Sequence, residues 1–188
     1  MHLTAKLKIL KKKNKKIGLI HGVFDVIHYG HIKYFEEAKN KVDYLIVSVT
    51  TDEHVNKGPG KPIFNILKRT EVLKSVRYID EIITSKYPTA VENIKLVKPN
   101  YYIKGKDYKN LSNDLSKNIL IEKKEVEKYG GKILFTNSEL HSSSSIINKN
   151  FDFITIEAKK FLKKFLFSDL SLKFNRTIQK LSDKKVLV

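Results

Sequence analysis

Ile17-Gly-Leu-Ile-His-Gly-Val-Phe-Asp-Val-Ile-His-Tyr-Gly-His31 is the most informative stretch of the chain. Its first four residues form an apolar run that predicts a buried strand, and His21–Asp25 predict a turn that contains glycine. Apolar residues then recur at helical spacing over His31–Ala38, and a second apolar run covers Asp43–Val49. A strand, a helix and a strand in about 35 residues form a βαβ unit. The two strands are therefore expected to be parallel.

The alternation of apolar strands and amphipathic helices continues to residue 135. We predict a loop at Lys57–Pro62 and a helix capped by Asn65 that runs to Val76. Further strands are predicted at Asp80–Ile83, Tyr101–Ile103 and Lys132–Phe135. The helices between them are predicted at Pro88–Val97 and Leu120–Tyr129. This order predicts an α/β fold with a doubly wound, parallel, five-stranded Rossmann-like sheet. Ligands of such sheets bind at the carboxyl ends of the strands.

The pattern changes after about residue 150. Residues 1–150 are expected to form the sheet domain, and the motifs that indicate a function lie in this part of the chain. Residues 151–180 are rich in Phe, Leu and Lys, and they predict a helical tail or linker. Residues 181–188 begin a fresh apolar strand, which we interpret as the first strand of a second domain.

Composition and charge exclude several classes of protein. The chain has 188 residues and no cysteine, which excludes disulfide scaffolds, cysteine-ligated zinc and thiol catalysis. It contains no apolar stretch long enough to span a membrane, and its lysine-rich N-terminus lacks a secretory signal, so a cytoplasmic protein without a membrane partner is expected. The net charge of +17 comes almost wholly from dispersed lysines. We therefore interpret it as a solvated surface, and no specific nucleic-acid partner is predicted.

His28 and His31 are the strongest candidates for chemistry. Two imidazoles three residues apart at the start of a helix lie on one face. Gly30 between them allows a ligand to approach the backbone, and the helix N-terminus offers N–H groups and a positive dipole end. These features suit a polyphosphate. The alternatives are two capping or surface histidines, or a zinc site; a third zinc ligand is not evident, so no metal site is predicted.

Two further segments fall at the predicted ligand edge. In Lys104-Gly-Lys-Asp-Tyr108, Gly105 permits backbone approach to a nucleotide, Asp107 is a candidate acceptor for ribose hydroxyls, and Tyr108 is a candidate neighbour of the base; the alternative is a plain turn. The second segment is Ser142–Ser145, which precedes a helix-like Ile146-Ile147. Its hydroxyl groups and the N–H groups of the helix start form a second site suited to an anion. The predicted nucleotide-binding residues of the two segments are Lys104, Gly105, Asp107, Tyr108, Ser142, Ser143 and Ser144. His141 either contacts the substrate or packs in the fold.

Gly22–His31 resembles the signature of the cytidylyltransferase-like nucleotidyltransferases, which are recognised by H-x-G-H. Further segments match in family order over about residues 15–150: Lys57-Gly-Pro-Gly-Lys-Pro-Ile63, Lys68-Arg-Thr-Glu-Val-Leu73, Lys98–Tyr108, Gly130–Ile133 and Ser142–Ile147. The pattern is most similar to the adenylyltransferase domain of bifunctional heptose enzymes, and next to glycerol-3-phosphate cytidylyltransferase. The second domain would then be ribokinase-like, in the reverse of the usual order for the heptose enzymes.

The resemblance implies transfer without a covalent enzyme intermediate. A phosphomonoester, with heptose phosphate as the first choice, attacks the α-phosphate of ATP or CTP, and pyrophosphate leaves; Mg²⁺ accompanies the nucleotide. His28 and His31 would bind the triphosphate, and the backbone of Gly22, Val23 and Phe24 would lie near the α-phosphate. The resemblance adds Lys57 and Arg69 as catalytic residues and Lys61 as a substrate-side residue. We count Asp25 with the substrate side; its alternative is to orient the turn. A homodimer is expected.

Three classes of function stay open at this point. The first is a sugar-phosphate nucleotidyltransferase that uses ATP or CTP. The second is a basic nucleic-acid-binding protein, which would favour arginine clusters or aromatic ladders. The third is a regulatory nucleotide sensor on the same fold, although both histidines and the serine segment are intact.

Overall fold

The computed structural model describes residues 3–56, 60–106, 118–137 and 160. Its helices and strands alternate along the chain, and one short 3₁₀ turn at Asp52–His54 follows the second strand. In chain order they are α1 (Leu3–Lys12), β1 (Ile17–Gly22), α2 (Tyr29–Lys39), β2 (Tyr44–Thr50), α3 (Ile66–Lys74), β3 (Glu81–Ser85), α4 (Val91–Val97), β4 (Tyr101–Lys104), α5 (Asn118–Lys128) and β5 (Lys132–Phe135).

The five strands form one parallel sheet in the order β3-β2-β1-β4-β5. Its central strand β1 pairs with β2 from Ile17 opposite Tyr44, and with β4 from Gly18 opposite Tyr101. The predicted doubly wound parallel sheet is therefore confirmed. The strand order reverses between β1 and β4, so the crevice that such folds use for ligands lies at the carboxyl ends of these two strands.

Two apolar clusters cover the two faces of the sheet. On the first face, Phe35 of α2 and Leu73 of α3 pack with Ile20 of β1. On the second face, residues of α1, α4 and α5 pack with Leu19 of β1 and Tyr102 of β4. Successive residues of a strand point to opposite faces, so Ile20 and Leu19 serve different clusters. Because both faces are covered, the central strands read as continuous apolar runs.

Several element boundaries differ from the sequence prediction. Helix α1 was not predicted, because its lysines mask an apolar spacing that buries Leu7. The Asn65 cap is confirmed, since its side chain accepts the N–H of Lys68 at 3.0 Å. The apolar spacing places Ile66, Leu67, Thr70 and Leu73 along one side of α3, but Leu67 is 74% exposed and does not share the buried side with Leu73. Helix α4 begins at Val91, not at Pro88.

The chain divides into two units, residues 1–143 and 144–188. All helices and strands given above lie in the first unit. The predicted tail at 151–180, apart from Lys160, and the predicted strand at 181–188 lie outside the described residues, and both stay predictions. In the described part of the chain, every helix is too short or too polar to cross a bilayer.

Candidate active site

The turn after β1 carries an unusual backbone conformation. Phe24 has a φ of 50°, in the left-handed region that non-glycine residues rarely adopt. Its ring packs back over Gly22, where an added Cβ would lie 2.9 Å from the ring. The ring also contacts Phe35 and His31, with centroids 5.4 and 5.7 Å apart. Gly22 is therefore the residue that lets the turn fold against the first-face core, beside the histidine motif.

His28 and His31 lie together at the start of α2, as the spacing predicts. Their ring centroids are 3.9 Å apart, and the ring planes are inclined by 44°. The Nε2 atom of His28 and the Nδ1 atom of His31 are buried, although both residues are only half-buried. This geometry confirms the prediction that the two rings lie on one face at the start of the helix.

His28 is also the N-cap of α2. Its Nδ1 atom accepts the N–H of Gly30 at 3.1 Å, and its carbonyl accepts the N–H groups of His31 and Ile32. The expectation of free N–H groups at this helix start is therefore wrong for residues 30–32. The capping alternative is correct for His28. Because Nδ1 accepts a hydrogen bond, the proton of the neutral ring resides on Nε2.

Arg69 is buried and anchors the loops around the motif. Its Nη1 donates to the carbonyl of Val23, its Nε to the carbonyl of Phe64 at 2.9 Å, and its Nη2 to the carbonyl of Thr50 at 2.8 Å. Nη2 also lies 2.6 Å from Asp52 Oδ1. Because its guanidinium is buried, Arg69 does not form a surface salt bridge within α3. The guanidinium fixes the turn after β1 to the end of β2 and to the start of α3, and a direct catalytic role stays a prediction.

Asp25 holds the same region from the other side. Its two carboxylate oxygens accept the N–H groups of Ile63 and Phe64 at 2.8 and 2.9 Å. The geometry thus supports the role of orienting the turn, and the substrate-side assignment has no contact in its favour. Lys61 lies half-buried in the segment that Asp25 holds. Its predicted role is neither supported nor excluded by these contacts.

The prediction that the Lys104 side chain binds nucleotide is not supported. This residue ends β4 and shares a strand face with Tyr102, so it turns into the second-face cluster rather than toward the crevice. Its side chain is 11% exposed, and its Nζ lies 3.3 Å from Glu122 Oε2. Gly105 follows at the edge of the sheet, where its predicted role is unaffected.

His21 was missed as a functional candidate. It is the penultimate residue of β1 and lies on the second face, and its Nδ1 lies 3.1 Å from Ser48 Oγ. Burial, and secondarily the charge of Lys104, lower its pKa from 6.5 to about 4. A hydrogen bond to the backbone of Pro88, which has only a carbonyl to offer, opposes this shift. His21 is therefore neutral at pH 7. Its place at a strand end was visible in the sequence, but its polar partners were not.

A cleft of about 420 Å³ opens beside the N-terminus of α2. Tyr29, Gly30, Lys33 and Asn137 contribute to its lining. Glu37 of α2 accepts the N–H of Asn137 with both carboxylate oxygens at 2.9 Å. The end of α2 is thus fixed to the chain that follows β5, and the cleft is bounded by the histidine helix itself.

Several predicted site residues lie outside the described part of the chain. They are Lys57, Asp107, Tyr108, His141, Ser142, Ser143 and Ser144. The described residues contain no group of three side chains fit to hold a metal ion. The carboxylates of Asp25 and Asp52 accept backbone N–H groups.

Comparisons with known proteins place this geometry in a family. Residues 19–150, more than two thirds of the chain, match the cytidylyltransferase-like family model. The bifunctional protein HldE of Campylobacter jejuni subsp. doylei is 39% identical over 106 residues, which are 55% of this chain and 23% of that protein. HldE of Methylobacillus flagellatus is 30% identical over 150 residues, or 78% of this chain and 29% of that protein. The chain thus spans about a quarter of the length of these curated relatives.

Solved structures extend the likeness. A lipopolysaccharide core biosynthesis protein from Thermoplasma volcanium superposes with a TM-score of 0.55 at 26% identity, covering 67% of this chain and 99% of that one. Pantoate–β-alanine ligase from Francisella tularensis has a TM-score of 0.50 at 18% identity, covering 94% and 85%, and this shows a shared fold alone. By its family match, its parallel sheet and its paired histidines, this chain belongs to the cytidylyltransferase-like family of nucleotidyltransferases.

Proposed function

We propose that this chain transfers a nucleoside monophosphate from ATP or CTP to a sugar phosphate or a similar phosphomonoester, with release of pyrophosphate. One observation carries the proposal above the others. The ring centroids of His28 and His31 lie 3.9 Å apart after the carboxyl end of β1, beside the point where the strand order reverses. That crevice is where folds of this type hold nucleotides.

The reaction exchanges one phosphoester partner for another. An oxygen of the acceptor phosphate attacks the α-phosphorus of the nucleotide, and the bond from that phosphorus to the bridging oxygen of pyrophosphate breaks. The electron pair of this bond leaves with pyrophosphate. Catalysis of such a step is largely positioning and stabilisation of charge. The imidazoles of His28 and His31 would donate hydrogen bonds to phosphate oxygens as their charge grows.

The other predicted residues complete the proposal. Arg69 and Asp25 act as positioning residues, because they hold the turn that carries the Gly22–Phe24 backbone. Lys57 and Lys61 would bind phosphate oxygens. The nucleotide and the acceptor would contact Gly105, Asp107, Tyr108, His141, Ser142, Ser143 and Ser144. We propose that the magnesium complex of the nucleotide is the form that binds.

The relatives favour a cell-envelope acceptor. The Thermoplasma volcanium protein is named for lipopolysaccharide core biosynthesis, and the HldE relatives are bifunctional proteins. We therefore propose ATP and a heptose phosphate as the first substrates to test, with CTP and glycerol 3-phosphate as the alternative pair. We expect the chain to act as a homodimer. We expect it to act in the cytoplasm, where nucleoside triphosphates are made.

A pyrophosphate-release screen tests the proposal. The chain is mixed with magnesium and either ATP or CTP, and with a panel that includes heptose 1-phosphate, glycerol 3-phosphate and other sugar phosphates. We expect release that depends on both one nucleotide and one acceptor. Release without any acceptor would indicate hydrolysis instead, and no release with any pair would contradict the proposal.

A further inference from the structure

Glu122 is a buried carboxylate that the sequence did not single out. It lies on α5, is 2% exposed, and is the only fully buried acidic residue among the described residues. Its Oε1 accepts the N–H of Ala90, the N-cap residue of α4, at 2.9 Å. Its Oε2 accepts the Tyr102 hydroxyl at 2.8 Å and lies 3.3 Å from Lys104 Nζ. A buried charge is tolerated only with such partners.

These contacts join three elements beneath the ligand edge. Tyr102 and Lys104 lie on the same face of β4, two residues apart, so one carboxylate of α5 reaches both. The third contact holds the start of α4. Lys104 is the last residue of its strand, and its carbonyl accepts the N–H of Thr136 after β5 at 2.9 Å. The backbone before Gly105 is therefore held in two ways: the Lys104 side chain pairs with Glu122, and the Lys104 carbonyl accepts the Thr136 N–H.

The charges of Lys104 and Glu122 also affect His21 on the neighbouring strand β1. His21 is the penultimate residue of β1, which pairs with β4 at the point where the strand order reverses. The charge of Lys104 lowers the pKa of His21, and the charge of Glu122 opposes that effect. Lys104 and Glu122 are therefore close enough to His21 for their charges to be felt across the strand boundary that borders the crevice.

We propose that Glu122 is a positioning residue of the active site, because it holds Lys104 and thereby sets the backbone at Gly105 where the nucleotide approaches. This inference rests on the proposed function. A residue with a purely structural role would change the stability of the chain and leave the nucleotide KM unaltered. A positioning residue changes the nucleotide KM in protein that is still folded.

The experiment compares Glu122→Gln with Glu127→Gln. Glu127 lies on the same helix, and its side chain is 52% exposed, so its substitution is a matched control. Pyrophosphate release gives the nucleotide KM and kcat, and thermal unfolding gives Tm. We expect Glu122→Gln to raise the nucleotide KM roughly tenfold while kcat changes by less than about threefold. Glu127→Gln should match the wild type in all three.

A second variant covers the case in which Glu122→Gln does not fold. The double variant Glu122→Gln/Lys104→Met buries no unpaired charge, and replacing such a pair is often tolerated. We expect it to fold and to show the same raised KM. A folded variant with the wild-type KM would overturn the inference alone, and so would a double variant that fails to fold. A wild type that releases no pyrophosphate would instead overturn the proposed function, and the inference with it.

Discussion

The guanidinium of Arg69 lies 2.6 Å from the carboxylate of Asp52, and this pair connects α3 to the end of β2 beside the histidine motif. Arg69 is wholly buried, whereas the Asp52 side chain is 37% exposed. Asp52 in turn accepts the N–H of Ile66, the first residue of α3. The contact therefore fixes both the arginine and the helix from which it extends.

Arg69→Lys is expected to destabilise the fold. Lysine keeps the charge but cannot reach the carbonyls of Val23, Thr50 and Phe64 together with the carboxylate, because it lacks the planar fork. We expect a loss of about 3 kcal/mol in the free energy of unfolding, measured by chemical denaturation. Arg77→Lys is the control, since Arg77 is exposed and donates a hydrogen bond to the hydroxyl of its neighbour Tyr78. Equal stability of the two variants would contradict this account.

Gly22→Ala is expected to disturb the turn after β1. The new Cβ would meet the Phe24 ring at 2.9 Å, and that ring is buried against Phe35 and His31. Overpacking of this kind costs about 1–3 kcal/mol. The double variant Gly22→Ala/Phe24→Leu removes the clashing atom, so the alanine should cost less in that background. An alanine cost that is the same in both backgrounds would show that the ring is not the obstacle.

The lowered pKa of His21 predicts a dependence of stability on pH. Its pKa is about 4 in the fold against 6.5 when exposed, so the unfolded chain takes up a proton first as the pH falls. The stabilisation is therefore complete above pH 6.5 and declines between pH 6.5 and pH 4, by up to about 3 kcal/mol.

The variant His21→Gln isolates this contribution. Carboxylates also titrate in that range, so the informative quantity is the difference between variant and wild type. Unfolding free energies at pH 7 and pH 5 should differ less in His21→Gln than in the wild type, by about 2 kcal/mol. Equal pH dependence in the two proteins would indicate that the pKa of His21 is the same in the fold and in the unfolded chain.

The fold and the central pair of the site were accessible from sequence because they rest on local patterns. The apolar run before Gly22 and the spacing of His28 and His31 set the βαβ unit and bring the rings together. The contacts of the Lys104 and Asp25 side chains could not be predicted from the sequence, for one physical reason. Both lie at the correct edge, but their partners, Glu122 and the Ile63–Phe64 backbone, are distant in sequence.

The dual role of His28 shows the same limit on a smaller scale. Its spacing from His31 indicates phosphate chemistry, whereas its hydrogen bond to Gly30 makes it the cap of α2. Sequence spacing could not separate these two roles, because a histidine before a helix is compatible with both. Helix α1 was missed for the opposite reason, since dense lysines concealed a regular apolar spacing around Leu7.

His31→Ala removes one imidazole without removing the cap of the helix. We expect turnover to fall by at least about 100-fold, because a donor to the transition state is lost. The ring also packs against Phe24 and Phe35, so some stability is lost as well. Single-turnover assays at saturating nucleotide separate the slower chemical step from weaker binding. A turnover near the wild-type value in folded protein would exclude His31 from the reaction.

His28→Asn tests the central claim most directly, because it separates capping from catalysis. Asparagine is a good N-cap and can accept the Gly30 N–H, whereas His28→Ala loses the cap at about 1 kcal/mol. The measurement is the rate of pyrophosphate release by His28→Asn, relative to the wild type, with the nucleotide and acceptor that the wild type uses. The account predicts wild-type stability with turnover lower by at least about 100-fold. Wild-type turnover in the stable asparagine variant would reduce His28 to a helix cap and contradict the account.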